Sequence, residues 1–527
     1  MRVHLHDLLD EQARRHPNRP ALTDSNRTVR YADLSERVHE LAAGLHAIGL
    51  DRGDRVAVLL DKRIETVESL FATSAAGGVF VPVNPLLRPP QVRHVLADCG
   101  VRVLVTSTQR WQALAAEPGL PPTLEQVLLV DDAGEARPAH SHGPALVPWS
   151  EVLAAGRGSA PASYRGVEGD LAAILYTSGS TGRPKGVVLT HRNLIVGAES
   201  VSGYLGNGPE DVILAALPLS FDAGLSQLTT AFAVGAHVVL VNYLLPGDVV
   251  RLCVEHGVTG LTGVPPLWTQ LAAASWPAEG IRLRYVANTG GRLPRATLAR
   301  LRELFPQARP YLMYGLTEAF RSTYLDPDEV DRRPDSIGKA VPDAEILVLR
   351  PDGTPAGPGE EGELVHRGPL VALGYWNDTE RSAERFRPLP GTVAGWRPPE
   401  LAVWSGDTVV ADEEGFLFFV GRRDDMIKTS GYRVSPTEVE EAAYETRMVG
   451  DAVAIGVEDE RLGQRIVLIV SPRSEADADL ADTGPLLALL RRRLPLFMVP
   501  AEIRVRAQLP RSPNGKLDRV LLKEEVS

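Results

Sequence analysis

Apolar and polar positions along this chain follow two rhythms that take turns, one of helical spacing and one of short apolar runs. Residues 34–48 repeat apolar side chains every three to four positions and predict a helix; the runs 55–60, 79–83, 101–105 and 127–130, bounded by turn residues, predict buried strands. A second set of such units runs from 212 to 315 and includes strands at 238–241 and 285–287. Alternation of helix and strand predicts an α/β fold of layered sheets. Between 336 and 420 short strands alternate with turns such as Pro351-Asp352-Gly353, which predicts a small antiparallel, barrel-like subdomain. After Gly421 a charged connector, 422–428, leads into about a hundred residues of α+β pattern, enough for a small second domain. The expected division is therefore an N-terminal core, 1–422, and a C-terminal domain, 423–527. Residues 132–164, rich in Gly, Pro, Ala and His, read as a surface excursion.

A length of 527 residues exceeds what one hydrophobic core supports, in agreement with several layers and two domains. No apolar run reaches the roughly 18 residues of a membrane helix, and residues 1–15 alternate charge with leucine as an amphipathic helix, not a signal peptide. The expected address is the cytoplasm, with no membrane partner. A net charge of −11 argues against nucleic acid as a partner. Cys99 and Cys253 lie apart, without metal-ligand spacing, and read as packed thiols. Arg491, Arg492 and Arg493 form the one basic run, to be read either as a solvated helix face or as a dock for an acidic partner.

Chemistry concentrates first in residues 175–190. Two apolar runs there bracket Thr177, Ser178, Gly179, Ser180, Thr181, Gly182, Lys185 and Gly186: glycines that let the backbone approach a ligand, hydroxyl donors, and one cation. This is the environment a triphosphate needs. The spacing is not G-x-x-x-x-G-K-[ST], because Lys185 stands between Pro184 and Gly186. Further polar clusters follow apolar strands: Tyr314-Gly315-Leu316-Thr317-Glu318, Ser405-Gly406-Asp407, Gly421-Arg422-Arg423-Asp424 and Pro513-Asn514-Gly515-Lys516. Each alone is an ordinary turn with a capping residue.

Together, in this order, the clusters resemble the adenylate-forming superfamily of acyl-CoA synthetases, luciferases and peptide-synthetase adenylation domains, from about residue 34 to 519. The resemblance implies ATP and Mg2+ as cofactors and attack of a carboxylate on the α-phosphate. The acyl adenylate is then passed to a thiol. It implies that Glu318 holds Mg2+, that Thr317 contacts phosphate, that Tyr314 stacks on adenine, and that Asp407 accepts the ribose hydroxyls with Arg422 beside it. Gly290, Gly291, Arg292, Met313 and Gly315 are assigned to the nucleotide by the same resemblance. Lys516 is its catalytic lysine, carried by the small domain, which is mobile; Asp424 is the hinge, about which rotation exchanges Lys516 for the segment at Gly431 in the thiol step.

The acid is addressed by Phe221-Asp222, which resembles amino-acid-activating adenylation domains, where this aspartate meets the substrate ammonium; the alternative is a helix cap. Pocket residues carried over in the same way are Ser226, Gly263, Asn288, Gly290, Met313, Arg321 and Ser322. Arg321 is a cation suited to grip a second carboxylate bidentately. It either does so or pairs with a protein acid, Asp326, Glu329 or Asp222. The combination resembles the stand-alone enzymes that load 3-methylaspartate, a β-amino acid, on to a separate carrier protein in macrolactam antibiotic biosynthesis. The expected activity is ligation of an aspartate-like amino acid to an acyl or peptidyl carrier protein in trans. A CoA ligase for a small acid, and a prolyl-carrier-protein ligase, are the alternatives.

Overall fold

The computed structural model of the chain describes residues 2–25, 27–116, 118–131, 143–158, 164–177, 184–390, 400–422, 426–472, 482–510 and 517–526. Its described strands form three sheets. In the first, Val212–Ala215, His237–Leu240, Gly260–Gly263, Tyr285–Asn288 and Arg309–Tyr314 run parallel and are mostly buried, with helices as crossovers. In the second, Arg55–Leu59, Val79–Pro82, Val103–Thr106, Gln126–Leu129 and Leu171–Thr177 run parallel, and Lys185–Thr190 returns antiparallel to Leu171–Thr177. Parallel strands need both faces covered, and the continuous apolar runs in the sequence supply that burial.

Helices lie between these sheets. Ile64–Ala75 is buried at every position, as expected of a helix covered on all sides. Its Phe71 ring meets Phe232 of Asp222–Val234 edge-on at 5.2 Å, so one helix from each sheet interlocks in a common core.

Ser336–Ala340, Glu345–Leu349, Glu361–Arg367, Phe386–Pro388, Leu401–Ala411 and Leu417–Arg422 form the antiparallel subdomain, and Thr323–Leu325 joins it to the parallel strand Arg309–Tyr314. The third sheet draws its strands from Ile427 onward, with Val449–Asp459 and Gly463–Pro472 as a long hairpin.

One stretch departs from expectation. Within 132–164, Ala145–Pro148 is a parallel edge strand and Trp149–Gly156 a helix, not a surface excursion. That helix lies almost backbone-to-backbone on Tyr31–Ala47, because Gly44 and Gly156 carry no side chain: a Cβ on Gly156 would stand 1.8 Å from the Glu40 carbonyl oxygen. The residues that read as loop-forming are here the ones that permit close packing. Cys99 and Cys253 are buried thiols, pushed up to about 12 by that burial, as expected of packed cysteines. Among the described residues no helix is long and apolar enough to cross a membrane.

Candidate active site

The parallel strands of the first sheet end together, and their carboxyl ends carry the candidate residues, where ligands bind in open α/β sheets. Gly263, Asn288 and Tyr314 close their strands, and the segment after Val212–Ala215 leads to Asp222 at the start of a helix. From the second sheet, Thr177 and Lys185 face each other as the last pair of an antiparallel ladder, so residues 178–184 connect the strand ends. Ser178, Gly179, Ser180, Thr181 and Gly182 lie outside the described residues, as do Asp424 and Lys516.

Lys185 donates through Nζ to the Tyr375 hydroxyl at 2.6 Å, and Tyr375 donates to Glu318 Oε1 at 2.7 Å; Lys185 Nζ is 3.4 Å from the same carboxylate oxygen. Burial works to raise the Glu318 carboxyl, but the charges of Lys185, Arg385 and Arg433 outweigh it and hold the group ionised, well below the usual range. Burial brings the Lys185 ammonium down to about 8, with Glu318 opposing the fall. Thr177 Oγ1 is buried with no hydrogen-bond partner among the described residues. An ionised carboxylate from the first sheet, with a cation and an unspent hydroxyl from the second, fits Mg2+ and phosphate oxygens.

Beside this cluster the Tyr314 hydroxyl donates to Asp407, and Asp407 stands opposite Arg422 in the ladder between Leu401–Ala411 and Leu417–Arg422. Two residues 93 positions apart that were assigned to adenine and ribose are thus adjacent. Gly290 takes φ +78°. The Arg292 guanidinium is paired with Asp335 at 2.5 Å and is 68% exposed.

The candidate substrate pocket holds two opposite charges. Arg321 Nη1 lies 3.2 Å from Asp222 Oδ2, and Thr317 donates to Asp222 Oδ1 at 3.4 Å. Burial pushes the Asp222 carboxyl up, and Arg321 works against that rise. The contact matches the protein-acid alternative with Asp222 as partner; Asp326 instead accepts from Arg309 and Glu329 from Arg332 and Arg333. Arg321 is 2% exposed, yet its Nε has no partner among the described residues. Its position is imposed by Phe320, which adopts φ +55° directly before it, a conformation costing a bulky residue roughly 1–3 kcal/mol. The Phe320 ring fills the space left by Gly197, where a Cβ would approach to 2.5 Å.

Around this pair, Ser226 is buried one turn after Asp222, and a Cβ on Gly263 would meet the Trp268 indole at 2.9 Å. Asn288 donates to the Gly291 carbonyl at 2.8 Å and keeps a buried Oδ1 without a partner among the described residues. Met313 accepts from the Tyr204 hydroxyl at 3.0 Å. Ser322 is spent on His366 Nδ1 at 2.9 Å, a histidine that burial lowers to about 3 and so keeps neutral.

Sequence reasoning missed Tyr375, Arg385 and Arg433. Tyr375 lies 190 residues from Lys185 and 57 from Glu318, too far for a local pattern; Gly374 before it, at φ +143°, was the only local sign of a constrained aromatic. The Gly431 segment is at the site: Gly431, φ +81°, packs on Val264, where a Cβ would come to 2.7 Å, and Tyr432 meets Phe221 edge-on at 5.3 Å.

Layered α/β sheets ending in this carboxylate, lysine and tyrosine cluster define an AMP-forming ligase that uses ATP with Mg2+. Residues 9–376 match the AMP-binding enzyme family and residues 438–516 its C-terminal domain, and the chain belongs to that family. It is 34% identical to a feruloyl-CoA synthase of Amycolatopsis sp over 522 residues, 98% of this chain and 96% of that one. It is also 34% identical to an L-proline–[L-prolyl-carrier protein] ligase of Streptomyces coelicolor over 515 residues, 95% and 93% of the two chains. The structure of VinN in complex with L-aspartate is similar with a TM-score of 0.68 and 30% identity, covering 80% of this chain and all of that one.

Proposed function

We propose that the chain adenylates an aspartate-like amino acid, a β-amino acid such as 3-methylaspartate, and transfers it to a carrier protein in trans. The observation that carries this reading is the Arg321 guanidinium, buried beside Asp222 with Nη1 spent and Nε without a partner among the described residues. A buried ion pair is strongly destabilised by removing one partner, by about 3–5 kcal/mol. An acid that brings only an ammonium satisfies Asp222 and strands Arg321. One that brings only a second carboxylate strands Asp222. An amino acid with a second carboxylate replaces both halves of the pair at once, with the open edge of Arg321 free for a bidentate contact. The L-aspartate complex of a structure 30% identical to this chain supports the same class of ligand.

In this reading Asp222 orients the ammonium and Arg321 the distal carboxylate, leaving the reacting carboxylate directed to the cluster of Lys185 and Glu318. Glu318, with Thr177 and Thr317 near it, would hold Mg2+, which supplies neutralisation of the phosphate charge. Tyr375 bridges the pair, accepting from Lys185 and donating to Glu318, and so helps to fix both side chains. Lys516 from the small domain supplies the cation for adenylation, and the Gly431 segment replaces it for the thiol step. There the thiol sulfur bonds to the acyl carbon, the acyl C–O bond to AMP breaks, AMP leaves as an anion and the thiol proton passes to water.

ATP–pyrophosphate exchange across a panel of acids tests the reading. Aspartate and 3-methylaspartate should stimulate exchange; proline and deamino acids should not. Stimulation by proline alone, or by aromatic acids alone, would discard the dicarboxylic substrate.

A further inference from the structure

Four of the chain's 12 histidines, His4, His6, His39 and His191, gather in one place although they come from three separate stretches of sequence. The His4 and His6 rings lie parallel with centroids 5.2 Å apart, His191 meets His4 edge-on at 5.2 Å, and His39 meets His6 edge-on at 6.3 Å. The candidate active site uses none of them. His191 opens the helix His191–Leu205 directly after the strand Lys185–Thr190, so the cluster stands at the end of that strand away from Lys185. Imidazoles are costly as packing material, because each brings two polar ring nitrogens that need partners once buried.

Hydrogen bonds sort the four rings. His39 is turned to Asp10, whose two oxygens both lie 3.0 Å from its Nε2. His191 Nδ1 accepts from the Leu5 amide at 3.1 Å, which leaves its proton on Nε2 and makes it a holder of the N-terminal segment, not a ligand. His6 Nδ1 lies 3.1 Å from Ser74 Oγ; with that nitrogen donating, the tautomer is fixed and Nε2 carries the lone pair, the arrangement of a metal-binding histidine. His4 Nε2 is buried without a partner among the described residues, and so is Nε2 of the fully buried His191 beside it. Asp7 takes the amides of Val3 and His4 on a single oxygen, Oδ2, at 2.7 and 2.8 Å, a turn that brings its carboxylate back to His4. One ligand atom each from His4, His6 and Asp7 lies within 4.8 Å of the other two. Small rotations of the two rings close that span to the roughly 3.3 Å between ligand atoms of a tetrahedral ion with bonds of about 2.0 Å. Two imidazoles with one carboxylate suit zinc and its neighbours, whereas Mg2+ takes oxygen ligands.

We propose that His4, His6 and Asp7 bind a divalent transition ion of the zinc class, completed by water, which fastens the N-terminal segment to the core between Ser74 and His191. The ion is structural. Leu5, Leu8 and Leu9 of the same segment are fully buried, and the ion locks them against the helices Ile64–Ala75 and His191–Leu205 that carry Ser74 and His191.

Metal binding would be measured on the full chain, purified without a polyhistidine tag and stripped with a chelator, by competition with a chromophoric chelator for Zn2+, by the visible absorption of Co2+ in its place, and by the thermal midpoint. The expected result is one Zn2+ per chain, a midpoint that rises with free Zn2+, and a tetrahedral Co2+ band. His4→Gln, and Asp7→Asn, which leaves the turn an accepting oxygen, should weaken Zn2+ binding at least tenfold and lose the band. Their metal-free midpoints, and pyrophosphate exchange in Mg2+, should match the native chain, and His39→Gln should bind Zn2+ as the native chain does. Failure of the stripped native chain to bind Zn2+ at micromolar free ion overturns the site. So does equal Zn2+ binding by the native, His4→Gln and Asp7→Asn proteins, since the ion would then lie elsewhere.

Discussion

Removing the Arg321 guanidinium tests the central argument. In the native protein it stands 3.2 Å from Asp222 and is buried; Arg321→Ala leaves Asp222 buried without that cation, its carboxyl already raised by burial and now relieved of the largest opposing influence. The aspartate then takes up a proton and is no longer an anion for the ammonium, so every amino acid loses some affinity. A dicarboxylic substrate loses more, because the bidentate contact disappears too. Hydrogen bonds to charged groups contribute roughly 1.5–3 kcal/mol each, and about 1.4 kcal/mol is a factor of ten, so two such bonds amount to about two to four orders of magnitude in kcat/KM. The assay is pyrophosphate exchange with aspartate and with alanine, native against Arg321→Ala, with Arg321→Lys as a third arm. The lysine variant keeps the charge and loses the planar fork, and should fall between the two. The reasoning fails if aspartate and alanine lose activity by the same factor, because Arg321 would then act only as the internal partner of Asp222.

Asp222→Asn should abolish the preference for amino acids over their deamino analogues by two or more orders of magnitude, read as the ratio of exchange rates; retention of the ratio would remove Asp222 from the ammonium site. Tyr375→Phe deletes the hydroxyl between Lys185 and Glu318, and should lower kcat/KM for ATP by about tenfold while raising the Mg2+ concentration needed for half-maximal rate; an unchanged Mg2+ requirement would speak against it. Because Lys185 titrates at about 8, its charge is present below that pH and lost above it, so kcat/KM for ATP should fall as pH rises through about 8, and Lys185→Arg should flatten the fall. Glu438, which accepts from Gln91 across the domain seam at 2.7 Å, is raised to about 7 by burial, with Glu441 adding to the rise. A raised carboxyl stabilises the docked domains fully below its ordinary range near 4.3, and the contribution is lost as pH rises to about 7. Thermal stability should therefore decline over that window, and Glu438→Gln should remove the decline.

What the sequence disclosed divides along the range of the interactions. Strands such as Val79–Pro82 and the hairpin arms around Lys185 were legible because burial of a parallel strand writes a continuous apolar run into a few neighbouring residues. Site residues within one strand end, Tyr314, Thr317 and Glu318, were legible for the same reason, with the order of clusters supplying the rest. The helix Trp149–Gly156 was not, since Gly156 permits helix contact and looks, by composition, like a loop residue. Nor was Tyr375, whose role exists only where strands distant in the chain converge. On the proposed reading, the same distinction explains why the substrate would be selected by Asp222 and Arg321 and not by residues 177–186. The loop serves a phosphate common to every acid the fold can activate, so its pattern is local and repeatable. Selecting an acid requires two charges 99 positions apart, one at a helix start and one after a left-handed Phe320, to meet in a place where neither is tolerable alone. Specificity on this scaffold is then a property of the pair: substituting either charge alone creates a stranded ion, while substituting both for apolar residues of similar volume should leave a folded ligase that prefers uncharged acids, and pyrophosphate exchange by an Asp222→Val/Arg321→Met double variant with aromatic or aliphatic acids would measure it.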